Sequence, residues 1–241
     1  MLAVFKRDFR AYFTSAIGYI YIGSYILVLN FFFYLYNILG GSASIAGVFN
    51  FMLTVMMFLT PILTMRVFSE EFKQKTDQLL FTSPIKVTGI VLGKYLSALM
   101  VFVCLLILTL LWPLTISILG ENGNNMAEVL GNYAGMLAIG STYIAIGVFI
   151  SSLTENQVVA AVGSLGLFIF LFLLDSFARF FFSSGVLPEF VLRAILFTSI
   201  SARYQSITWG IFELHNIVFF LSLTALFIFF TVMSLEKRRR V

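Results

Sequence analysis

Six stretches of the chain stay apolar long enough to cross a bilayer, and charge is confined to the segments between them. A hydrocarbon core about 30 Å thick takes about 20 mostly apolar helical residues at 1.5 Å each. Residues 17–38, 48–65, 90–119, 129–153, 158–174 and 216–235 meet that need. Each is expected to be helical, because lipid offers no partner to an unpaired backbone amide or carbonyl. The loop at 39–47, with Gly40, Gly41, Ser42 and Ser44, reads as a turn between the first two spans. The pattern predicts an all-α integral membrane protein in which residues 1–241 form one domain.

The connecting segments carry patterns of their own. Before the first span, Leu2, Phe5, Phe9, Tyr12 and Phe13 share one face at helical spacing, and Lys6, Arg7, Arg10 and Thr14 share the opposite one. Residues 1–16 are therefore expected to form an amphipathic helix lying on the cytoplasmic leaflet. Asp8, at the edge of the apolar face, leaves open a plain extension of the first span. Between the fifth and sixth spans, residues 177–213 are too interrupted by Arg179, Pro188, Glu189, Arg193 and Arg203 to cross, yet too rich in Phe for a hydrated loop. Two short helices lying in, or dipping into, the outer interface are expected there. Two further poor spans are the alternative, disfavoured by the insertion cost of their arginines.

Composition sharpens this picture. Hydrophobic residues make up 60% of the chain and charged ones 11%, with a mean hydropathy of +1.01, more apolar surface than a soluble core can hide. The net charge of +4 lies in short clusters and not on a dense basic face, which excludes nucleic acid as a partner. Counting Lys94, at the entry of the third span, with the second connection, twelve of the fifteen basic residues fall in the amino-terminal segment, that connection and the carboxy-terminal tail. By the positive-inside rule both termini are cytoplasmic, and the chain is a multi-pass protein of the inner or plasma membrane. Lys6, Arg7, Asp8 and Arg10 break the first stretch, so no cleavable signal is expected. Cys104 alone can form neither a disulfide framework nor a thiolate cluster.

The chemistry of common sites is missing. Gly89 to Tyr95 approaches a phosphate-binding loop, but it has one residue too few between its glycines and Tyr95 where a Ser or Thr hydroxyl must hold magnesium. His215 is the sole histidine and has no metal-ligand spacing around it. Ser42 in its Gly-Gly-Ser-Ala setting could pair with His215 as a nucleophile and base, but Gly-Ser clusters between spans usually mean a turn. A membrane-embedded enzyme acting on lipid or peptide is the alternative function; it should place paired ionisable residues within its spans, and these spans are nearly free of them.

The most distinctive stretch follows the second span. Residues 66–85 run Arg-Val-Phe-Ser-Glu-Glu-Phe-Lys-Gln-Lys-Thr-Asp-Gln-Leu-Leu-Phe-Thr-Ser-Pro-Ile. Thr76 can cap a short helix carrying Leu79, Leu80 and Phe81, and Ser83-Pro84 supplies a fresh start. Three large apolar residues in a row suit a docking surface for a cytoplasmic partner, or else burial against the membrane surface.

With its amphipathic start, two spans, Arg-x-x-Ser-Glu-Glu…Thr-x-x-Leu-Leu…Ser-Pro-Ile…Gly-Lys segment and four more spans, the chain resembles the ABC type-2 exporter permeases over essentially its whole length. Within them it is most similar to the small gliding-motility-type branch. Ser69, Glu70, Glu71, Thr76, Leu79, Leu80, Pro84, Gly93 and Lys94 carry the match, while Lys75 stands where glycine is common and Asp77 where glutamate is common. The resemblance implies the substrate-conducting subunit of an exporter, paired with a second permease copy or paralogue and with separate ATP-binding-cassette subunits. ATP and Mg would be held by those subunits and no cofactor by this chain. It implies a coupling segment at 67–88 with its helix at about 76–83, worked by Arg66, Glu70, Glu71, Thr76, Asp77, Leu79, Leu80, Phe81 and Pro84. It further implies external gating helices within 177–213, with Phe181, Phe182, Pro188 and Arg193 as gate residues.

Overall fold

The computed structural model describes residues 1–42, 44–76, 86–119, 126–183, 188–200, 203–204 and 214–240. Among them six helices are long and apolar enough to cross a membrane: Ala16–Leu39, Ala46–Lys73, Val87–Ile118, Met126–Ser151, Gln157–Ser183 and His215–Arg239.

Helix α1 (Leu2–Thr14) is separate from α2 (Ala16–Phe33), because Ser15 between them is extended, with φ −98° and ψ 163°. The first span is therefore not prolonged by the amino-terminal segment. At the bend the two helices touch: a Cβ on Gly18 would lie 2.6 Å from the Tyr12 carbonyl oxygen. Helix α2 continues as a π-helical stretch over Tyr34–Leu39, and the turn that follows is fixed by Asn37, whose amide donates to the carbonyls of Ser42 (2.7 Å) and Ser44 (2.9 Å).

Helix α3 (Ala46–Thr64) leads into a short α4 (Ser69–Lys73). Helix α5 (Val87–Thr109) breaks at Leu110 before α6 (Leu111–Leu119). Pro113 is the cause, since it has no N–H to offer the Thr109 carbonyl one turn back. Helices α7 (Met126–Ser151), α8 (Gln157–Ser183), α9 (Glu189–Thr198) and α10 (Leu214–Arg240) complete the described elements. Helix α8 runs nine residues past the predicted end of the fifth span. Asp175 and Arg179 interrupt the hydropathy of that stretch but not its helix, so Phe181 and Phe182 sit on the last turns of a spanning helix.

The core lies around α7, which packs against α3, α5, α8 and α10. Tyr143 stacks on Phe168 of α8 at 4.5 Å, and Phe49 of α3 meets Tyr133 edge-on at 4.9 Å. Thr142 reaches Thr224 of α10 at 3.1 Å, and the Tyr25 hydroxyl donates to the Met52 carbonyl at 2.9 Å. The Thr142 and Tyr25 hydroxyls are thus paired across helices, as hydrocarbon surroundings favour.

Candidate functional site

One end of the bundle gathers the described basic clusters. Helix α4 is seated there by a side chain from another span: Ser151, at the end of α7, accepts from the backbone amides of Phe68 (3.1 Å) and Ser69 (3.2 Å) and donates to the Met65 carbonyl (3.1 Å). The Ser69 hydroxyl also turns back to the Met65 carbonyl. The α3–α4 corner is therefore tied to α7 and not only to its own chain.

Lys94, two turns into α5, is the hub. It is only 3% exposed. Its ammonium donates to the Val67 carbonyl at 2.7 Å, pairs with Glu71 at 2.9 Å and with Asp8 at 3.3 Å, and lies 5.1 Å from the centre of the Phe68 ring. Arg7 completes the set, 2.8 Å from Glu71 and 2.6 Å from Asp8. Its hydrogen bond to Asp8, with smaller help from Glu71, holds the Arg7 guanidinium above its ordinary pKa. A buried ammonium is tolerated only when paired and hydrogen-bonded. Here α1 supplies one carboxylate and α4 the other, so three elements must be in place together.

Close packing puts α1 there. A Cβ on Gly93 would lie 3.1 Å from both the Met1 carbonyl oxygen and the Val4 side chain, so glycine lets α1 press against α5. The Tyr12 hydroxyl donates to the Leu63 carbonyl at 3.1 Å. Burial, and then Asp8, raise its pKa, which keeps it a donor. From the far side Arg238 of α10 lies over the Phe72 ring at 4.0 Å and pairs with Glu155.

Between α1, α4 and α5 is a groove of about 740 Å³. Of the predicted coupling residues, Arg66, Glu70, Glu71 and Thr76 line it. The Thr76 hydroxyl donates back to the Glu71 carbonyl at 3.3 Å. Asp77, Leu79, Leu80, Phe81 and Pro84 lie outside the described residues. Sequence reasoning assigned no role here to Arg7, Asp8, Ser151 or Arg238, and it used Lys94 only as part of a motif and in the count of basic residues. The available signal was a lysine placed inside an apolar run, since charges within spans are expensive and usually serve a purpose.

At the other end, Phe181 and Phe182 are exposed. Pro188 opens α9, its carbonyl accepting from the amides of Val191 (3.1 Å) and Leu192 (3.2 Å). Arg193 pairs with Glu189 one turn back on the same helix, at 2.5 Å, and both side chains are exposed. The chain then turns inward: Ile200 and Tyr204 belong to the core. Arg203 is buried, 2.8 Å from the Asn216 side-chain oxygen and 4.2 Å above the Phe219 ring. That burial is invisible in the sequence, where Arg203 reads as one more external arginine.

A family described as ABC-2 family transporter protein matches residues 21–238. The chain belongs to the ABC-2 transporter family. This ABC-2 subunit is the membrane-spanning part of its transporter and not an enzyme in itself. The match takes in four of the six candidate spans whole and most of the first and last, together with Glu71, Lys94 and Arg238, and leaves α1 outside it. No curated protein matches the chain.

Proposed function

We propose that this subunit is the permease of an ATP-driven exporter and that residues 66–85 take the thrust of a separate ATPase. The supporting observation is the Lys94 network. A force on α4 is carried by Glu71 to α5 through Lys94 and to α1 through Arg7, while Ser151 and Arg238 carry it to α7 and α10. A hydrated linker would have no such ties.

The same reading places the basic end in the cytoplasm, with α1 lying in the inner interface as an elbow before the first span. Twelve basic residues in the segments assigned to that end favour it. The outer segment enters the bundle after α9 as a re-entrant element, in keeping with the burial of Ile200, Arg203 and Tyr204. Phe181, Phe182, Pro188 and Arg193 border it as an external gate. Two such permeases, identical or paralogous, and two cassette subunits holding ATP and Mg make the working assembly, and this chain itself holds no cofactor. Of the exporter permeases, the gliding-motility-type branch fits the Arg-x-x-Ser-Glu-Glu motif.

Leu79 and Leu80 supply the apolar docking contact, each able to bury a side chain worth about 1.5 to 3 kcal/mol. Replacing both by Asp releases the ATPase in a pull-down while membrane yield of the permease stays at the parent level. A double variant that inserts normally, keeps its ATPase and still stimulates hydrolysis shows that the segment is not the coupling element.

A further inference from the structure

Away from the basic end, a notch of about 280 Å³ opens on the flank of the bundle, between α2 and the break that separates α5 from α6. Ile26, Phe33, Leu108, Leu111 and Trp112 form its apolar wall. Two of its polar groups are already engaged: the Thr109 hydroxyl donates to the Leu106 carbonyl at 2.8 Å and the Thr115 hydroxyl to the Trp112 carbonyl at 2.7 Å. Asn30 differs. Its side-chain oxygen accepts the Trp112 indole N–H at 2.8 Å, but its exposed amide nitrogen donates to no acceptor among the described residues.

Depth makes that donor expensive. Asn30 lies about 20 Å along the first span from Ala16, with about 10 Å of hydrocarbon still to cross. At that depth on a lipid-facing flank there is no water to accept from it, and a side-chain amide facing hydrocarbon needs a partner. A second helix is a poor candidate, because close helix approach in membranes relies on small residues. The neighbours of Asn30 on this exposed flank are Leu27, Phe31 and Tyr34. A concave apolar wall with one amide donor suits a chain that carries an acceptor oxygen.

We infer that the notch holds a glycerolipid drawn below its ordinary depth, its ester carbonyl accepting from the Asn30 amide and its chain lying along Ile26, Phe33 and Leu111. The site is separate from the coupling segment and does not depend on it.

Trp112 reports on the site directly. In a Trp209→Phe background it is the sole tryptophan, and its quenching is measured in nanodiscs of phospholipid brominated near the ester, at mid-chain or near the methyl end. A carbonyl held on Asn30 brings the ester end level with Trp112, so the ester-end bromine quenches most, and Asn30→Leu moves the maximum to mid-chain. A parent profile without an ester-end maximum overturns the inference even where Asn30→Leu inserts poorly. A mid-chain maximum in the parent means lipid at its ordinary depth and overturns the inference, as does an ester-end maximum that Asn30→Leu leaves unchanged. Absence of quenching by any of the three means that a second copy of the chain covers the notch, which overturns it too.

Discussion

Lys94 and Arg193 are both cations paired with a glutamate, yet they do different things. Arg193 meets Glu189 within one helix, with both side chains largely in the open. Lys94 meets Glu71 and Asp8 across three elements and is almost sealed from solvent. An exposed pair one turn apart is worth little, because solvent screens it and two long side chains must be ordered to make it. A buried cross-element pair is demanding: removing one partner strands a charge. A local pair decorates a helix, whereas a buried one fixes where helices stand relative to each other.

The largest effect expected from breaking this contrast is at the hub. Lys94→Met leaves Glu71 and Asp8 partly buried with only Arg7 to answer them. It should cost about 3–5 kcal/mol, the range for a broken buried pair. Thermal unfolding of the purified protein measures this, and adding Glu71→Gln to Lys94→Met should recover part of the loss. A Lys94→Met variant as stable as the parent would reduce the two pairs to one kind.

A smaller loss is expected at Arg238→Ala, which removes a cation from the Phe72 ring and a half-exposed pair with Glu155. About 1 kcal/mol is the scale of such a contact. Its more telling readout is protease access to the α3–α4 corner, which should rise while the spans stay folded. Arg193→Ala should be nearly silent, below about 1 kcal/mol in the same unfolding assay. A large loss there would mean that Arg193 has a partner beyond Glu189 and would bring the outer segment closer in kind to the inner one.

Much of this architecture was readable in advance, and the limits are physical. Hydropathy located the spans because bilayer thickness sets their length, but it stopped the fifth at residue 174. Hydropathy registers Asp175 and Arg179 as breaks, whereas a helix has no need to end at a charge. The amphipathic pattern of α1 was legible, but the stripe that packs inward includes Val4, Asp8 and Tyr12, so a face scored partly as polar is the one pressed on α5. Glu70 and Glu71 stood out as a motif. The partners of Glu71 did not, because Lys94 and Arg7 are separated from it by at least twenty residues, and no local periodicity encodes such pairings. The notch was hidden for the same reason: Asn30 reads as a tolerated polar residue until Trp112 is seen beside it.

The contact between Arg238 and Phe72 also bears on how the protein is made. Helix α10 follows every other described element in the chain, so α4 is held by Arg7, Lys94 and Ser151 before the contact of Arg238 with Phe72 can form. On the coupling role proposed above, the α3–α4 corner is completed only once α10 is in place, so recruitment of an ATPase would follow the insertion of α10.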